Sequence, residues 1–174
     1  MIWKAPQAEA FRLKLYDTIF SPTREDVGVE FIDTVYNNMP VIEDETLKAK
    51  ANEIIERDGF ILYPSVLPDG YEVEKIQSGE KNRIIFINAN IDAQIEISYY
   101  KGVKVSVYND SENSDNIIDI IVNGQNAILR ESENKKEINW EYNNCQVRLL
   151  TNDKNLDTEF IIKISDSVKN FYKI

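Results

Sequence analysis

The sequence predicts an α+β fold: a curved antiparallel sheet of about six to eight strands, covered by a C-terminal helix and preceded by two helices. Three observations carry this expectation. In the first, Ile91, Ala93, Ile95, Ile97 and Tyr99 alternate with Asp92, Gln94, Glu96 and Ser98. That period of two marks a strand with one packed and one wet face. In the second, the turn pairs Lys101-Gly102, Asn123-Gly124 and Asn143-Asn144 separate alternating runs. Gly and Asn accept the positive φ of tight hairpins. In the third, Leu156, Phe160, Ile161, Ile164, Val168 and Phe171 recur at helical spacing near the end of the chain.

Taken in order, residues 5–20 read as a first helix. Pro6 suits its first turn, Phe11, Leu15 and Ile19 form its stripe, and Ser21-Pro22 ends it. Residues 27–36 have the alternation of a short strand. Asp44 then offers an N-cap for a second helix over 44–57, with Leu47, Ala51, Ile54 and Ile55 as its stripe. Glu53 and Arg57 stand at the i,i+4 spacing of a surface ion pair, and Asp58-Gly59 closes the helix. Residues 63–71 are an extended lead-in with a Pro-Asp-Gly turn. Strands follow at 71–77, at 82–109 as three consecutive strands, and at 117–122. The last of these is nearly all apolar and reads as buried on both faces. Residues 125–130, 137–142 and 145–149 add three more, with Ala127, Leu129, Ile138, Trp140, Tyr142, Cys145, Val147 and Leu149 on the packed face. A helix over 155–171, capped by Asn155 or Asp153, completes the chain. Two segments follow from this reading: a helical segment over 1–59 packing on the sheet, and a sheet-plus-helix domain over 60–174.

Composition narrows the function classes. The chain has 174 residues, 30 acidic and 20 basic, for a net charge of −10. Such a surface repels phosphate backbones, and the densest basic run is Lys135-Lys136, so nucleic acid is not an expected partner. There is no histidine, which removes Ser-His-Asp and Cys-His catalysis and most zinc sites. The single Cys145 alternates with Val147 and Leu149 and reads as a small buried hydrophobe. No apolar run reaches the ~20 residues of a membrane span.

Three clusters merit weighing as sites. Asp110, Glu112, Ser114 and Asp115 crowd oxygen ligands into one loop, but the turn glycine and bidentate Glu of a calcium loop are missing. Glu137 and Glu141 flank Trp140 as a carboxylate pair, yet alternation turns both towards water, where carboxylates make poor general acids. Tyr99, Tyr108, Trp140 and Tyr142 are the candidates for a ligand or partner groove, although inward positions favour core roles for them. Trp3, beside Ile2, has the character of a membrane-interface residue. No residue set calls for a cofactor, a metal or a catalytic role.

From Tyr63 onward the order of motifs resembles the domain of unknown function family 4367, DUF4367. Leu67-Pro68-Asp69-Gly70-Tyr71 is followed by several strands, then Val122-Asn123-Gly124, then Ile138-Asn139-Trp140, then a strand and the terminal helix. The resemblance covers roughly the last two-thirds of the chain. It implies an extracytoplasmic domain tethered by a single anchoring helix, linked to anti-sigma and sporulation-type regulators. It also implies similarity to the half-barrel of lipoprotein carriers. It carries over no catalytic residue.

Two functional expectations result. The first is a non-enzymatic extracytoplasmic sensor or interaction domain that binds a protein or peptide, with membrane contact only through an anchor outside this chain. The second is a carrier holding an acyl chain or other hydrophobic ligand. A closed core built on Ile84, Phe86, Ile95, Ile97 and Phe160 points to the first, and a large apolar cavity to the second.

Overall fold

Helices and antiparallel strands make up most of the computed structural model, which describes residues 42–102 and 116–173. The helix expected at 5–20, the strand at 27–36 and the third of the strands expected over 82–109 lie outside the described residues. Those that are described fall within one compact unit, 36–174.

Helix α1 spans Glu45–Asp58. Its start follows from Asp44, whose carboxylate accepts the N–H of Thr46 at 2.8 Å and of Leu47 at 2.9 Å. Its end follows from Gly59, which adopts φ 84° and donates its N–H to the Ile55 carbonyl at 2.8 Å. Ala51 and Ile54 are fully buried, and Leu47 and Ile55 pack beside them. The expected Glu53–Arg57 pair does not form. Glu53 pairs with Lys50 at 2.7 Å, while Arg57 bonds Asp58 at 2.6 Å and Asn82 at 2.7 Å. Arg57 is drawn away because Asn82 and Ser78 offer it buried and half-buried acceptors on the neighbouring strand turn. The Arg57 hydrogen bond, with help from Asn82, holds the Asp58 carboxyl below its ordinary range.

The strands are β1 (Ile61–Pro64), β2 (Glu72–Gln77), β3 (Lys81–Asn88), β4 (Ala93–Lys101), β5 (Asn116–Val122), β6 (Gln125–Ser132), β7 (Lys135–Tyr142) and β8 (Cys145–Thr151). Helix α2 (Thr158–Asp166) and strand β9 (Val168–Phe171) follow. Seven strands form one antiparallel sheet in the order β2-β3-β4-β8-β7-β6-β5, and β1 pairs with β9 in a second, two-stranded sheet. The large sheet is therefore two meanders, β2-β3-β4 and β5-β6-β7-β8, joined where β4 meets β8. Along this seam Ile97 faces Leu149 and Tyr99 faces Val147. The row continues as Ile84–Ile97–Leu149–Ile138–Leu129 across five strands, and all five side chains are fully buried. Each such residue contributes ~1.5–3 kcal/mol of burial.

The hairpins at Asn123-Gly124 and Asn143-Asn144 form as expected, with φ of 51°, 73°, 49° and 59°. Four expectations need correction. Ile91 is not on the packed face; it sits in the β3–β4 turn and is 48% exposed. Strand β5 is not buried on both faces. Among the described residues it is the last strand of the sheet, most of its residues are exposed or half-buried, and Ile117 is 51% exposed. Lys101-Gly102 does not open a hairpin beside β4, because β3 and β8 occupy both edges of that strand. The last helix is shorter than 155–171. Its cap is Asp157, which accepts the Phe160 N–H at 2.7 Å, and it stops at Ser167. The Ser167 hydroxyl bonds the Ile164 carbonyl at 2.7 Å and accepts the Val66 N–H at 3.1 Å. Val168 and Phe171 then continue as β9, because the backbone of β1 supplies a ladder partner that helical spacing cannot reveal. Ile161, Ile162 and Ile164 of α2 join the same core as the sheet.

The Leu67-Pro68-Asp69-Gly70-Tyr71 turn is held by geometry. Gly70 has φ 81°, and a Cβ there would lie 2.9 Å from Asn88 Nδ2. Tyr71 donates its hydroxyl to Asp153 at 2.6 Å, tying the turn to the β8–α2 link. Gly59 has a similar φ, but a methyl group added there would meet nothing within 4 Å. Both Gly→Ala changes meet the ~1–2 kcal/mol strain of a left-handed backbone. Gly70→Ala additionally displaces Asn88, so urea unfolding should show it to be the more destabilising of the two; equal losses would contradict the close approach.

Candidate functional site

Strand parity decides the fate of the four candidate groove aromatics. Tyr99 is fully buried on the packed face of β4, and its hydroxyl accepts the Leu62 N–H at 3.2 Å. Burial raises its phenol far above the ordinary range. Trp140 is 2% exposed on the same face of β7. Tyr142, at the end of β7, is half-buried. Tyr108 lies outside the described residues. The structure thus places Tyr99 and Trp140 in the core and Tyr142, partly buried, at its margin.

Tyr142 borders a hollow of about 410 Å³ at the turn end of the sheet. The two tight hairpins supply Asn123, Asn143 and Asn144; Gln125 and Tyr142 come from the strands beside them, and Asn170 from β9. Glu141 brings the one carboxylate of the lining. Each turn asparagine is there because its positive φ suits the hairpin, so the same residues that make the turns bring amide groups to one place. The volume falls within the ~300–1,000 Å³ of small-molecule clefts. A latch holds one wall: the Asn123 N–H donates to Asp166 at 2.6 Å and its Nδ2 to the Ser165 carbonyl at 3.3 Å. Burial pushes the Asp166 carboxyl upward, and the Asn123 N–H offsets this in part.

The other face of the sheet carries charge that the sequence scatters over many residues. Lys81 and Arg83 of β3 approach Glu96 of β4 at 3.9 and 3.8 Å. Arg148 of β8 and Arg130 of β6 approach Glu137 of β7 at 3.1 and 3.5 Å. Glu137 is therefore paired and largely covered, contrary to the expectation that it faces water as Glu141 does. Its place between two arginines makes it a structural counter-ion. Each of these pairs spans strands adjacent in sequence, and the β4–β8 pairing brings the two groups side by side.

Cys145 is fully buried, and burial pushes its thiol up to about 11, so it is a protonated core residue at neutral pH. Among the described residues no group of three or more Cys, Asp or Glu is placed to hold a metal ion. The acidic loop at 110–115 lies outside them.

Residues 61–168 match the family model described as "Domain of unknown function (DUF4367)". No curated protein matches the chain. No solved structure does so either.

Trp140→Ala should cost ~3–5 kcal/mol of stability, as for a large buried aromatic; a denaturant curve that does not move would assign Trp140 to a surface. The Asp166 latch gives a pH dependence. A carboxyl whose folded pKa is raised contributes stability that is full below its unfolded pKa and is lost as pH rises through the folded value. Asp166→Asn keeps an acceptor for Asn123 and removes the charge. Its melting temperature relative to the parent should therefore climb between about pH 3 and about pH 7; a difference that stays flat would contradict it.

Proposed function

The chain belongs to the DUF4367 family, and we propose that it is a non-enzymatic extracytoplasmic sensor or interaction domain, tethered to the membrane in its native setting. The observation that carries this reading is the filled core. Ile84, Phe86, Ile95 and Ile97 are fully buried, and Ile161 and Ile164 of α2 pack with them in one cluster. Phe160 joins at its margin, partly buried. Sheet and terminal helix thus share one packed core, and the amide-rich hollow lies at the turn end of the sheet. A partner or ligand engages that hollow through Tyr142, Asn170 and the turn asparagines, which offer neutral donors and acceptors in place of a reactive group. Membrane contact runs through an anchor beyond these residues; among those described, no helix is long and apolar enough to cross a membrane.

The alternative is a carrier for an acyl chain, and it needs an apolar chamber. Mixing the full chain with a fluorescent fatty acid, and native mass spectrometry of freshly purified protein, separate the two. The interaction reading expects neither bound acyl chain nor co-purified lipid. One lipid per chain would replace it with the carrier. For the seat itself, a photo-crosslinking residue at Tyr142 should give a discrete adduct in cells, and the same residue at Glu56 on the exposed side of α1 should give none. Equal crosslinking from both positions would remove the hollow as the seat.

A further inference from the structure

On the polar face of the sheet, register places Arg83, Ser98 and Arg148 side by side on β3, β4 and β8. Directly opposed residues of an antiparallel pair have Cβ atoms about 4.5–5.5 Å apart, so two guanidinium groups flank one hydroxyl. Ser98 is 1% exposed, and its hydroxyl finds no hydrogen-bond partner among the described residues. The Nε of Arg148 is likewise buried without a partner there, although its Nη2 reaches Glu137. Buried donors are nearly always satisfied in folded proteins, so two adjacent ones that are not point to an acceptor from outside the chain.

The neighbouring charges say what kind. Among the described residues, Glu96 is approached by two cations, Lys81 and Arg83, and Arg148 stands on the next strand, paired with Glu137. Glu96 stands 3.8 and 3.9 Å from its two cations, beyond hydrogen-bond length. Burial, and after it the charges of Arg148 and Arg83, hold the Lys81 ammonium below its ordinary range. Lys81, Arg83 and Arg148 thus gather on neighbouring strands of a chain whose net charge is −10.

We propose that Arg83, Ser98 and Arg148 form a binding site for a phosphate oxyanion, with Lys81 adding charge. The phosphate accepts from Arg148 Nε–H and from the Ser98 hydroxyl, and its charge takes over the counter-ion role that Glu96 fills only loosely. Arginine suits this, because its planar fork of donors matches a phosphate. Arg83 is the way in. Its side chain is 43% exposed and is tied to Glu96 only at 3.8 Å, so it can swing out and close over the bound group. An extended polyanion does not fit the same description, because the chain's net charge of −10 repels it. The proposal is independent of the hollow at the turn end, which lies by the hairpins and is lined mostly by amides.

Titration of the full chain with inorganic phosphate at constant ionic strength, followed by amide NMR shifts, tests it. Chloride serves as the control anion. Shifts should centre on residues 83, 98 and 148, and both Arg148→Gln and Ser98→Ala should weaken binding by about tenfold or more. Ser98→Ala separates binding from folding. It removes a buried hydroxyl without an internal partner, so the free variant should be at least as stable as the parent while losing affinity. Arg148→Lys should retain part of the binding. Anionic phosphatidylglycerol vesicles, compared with glycerol phosphate, then tell a lipid headgroup from a free phosphate: response to the vesicles alone keeps the site and assigns it to the headgroup. No response to any of the three phosphates, or binding unchanged in both Arg148→Gln and Ser98→Ala, overturns the proposal.

Discussion

The pairing of β4 with β8 is the contact on which the rest depends. It joins two meanders that are each local in sequence, and the residues it brings together are some fifty positions apart, as in Ile97 and Leu149. Closing so long a loop costs entropy before any contact repays it. The return is a continuous apolar row from Ile84 to Leu129 on one face, against which α2 packs through Ile161 and Ile164. Tyr99 sits on this seam and reaches across to the Leu62 backbone, so the small β1–β9 sheet is tied to the same line. Without the seam there would be two open sheets, each with a half-covered face.

Smaller polar contacts attach the remaining pieces. Arg57, Asp58 and Asn82 fasten the end of α1 to the β2–β3 turn, and Asn82 is buried with its amide satisfied by Asp58 at 2.9 Å. Tyr71 and Asp153 fasten the lead-in to the region before α2. Asp166 and Asn123 fasten the end of α2 to the β5–β6 turn. Each joins a helix end or loop to a turn, where backbone groups lack ladder partners.

The two faces of the sheet have different chemistry for one reason. Alternation sends every second residue to the core, and the seam then aligns the intervening ones. On the core side the result is one packed cluster, with a polar hollow at the turn end of the sheet. On the other side it is a row in which Arg83 and Arg148 flank Ser98. Donors prearranged on paired strands lower the cost of ordering a group that bonds them.

The sequence by itself determined the local elements. Asp44 and Gly59 bound α1, Asn123-Gly124 and Asn143-Asn144 set two hairpins, and alternation sorted Ile95, Ile97, Leu129, Ile138 and Leu149 to the inside. These depend on a residue and its near neighbours: a cap, a positive φ, a period of two. The order of motifs from Tyr63 onward also pointed to the family that residues 61–168 match. Tertiary structure alone decided the rest. It set β8 beside β4, left most of β5 exposed or half-buried although its residues read as fully buried, and ended α2 at Ser167 so that Val168 and Phe171 could pair with β1. Those outcomes rest on which backbone lies next to which, and hydrogen-bonded ladders are indifferent to side-chain pattern. For the same reason the cationic row of Arg83 and Arg148 could not be read from spacing, since its members become neighbours only when the two meanders meet.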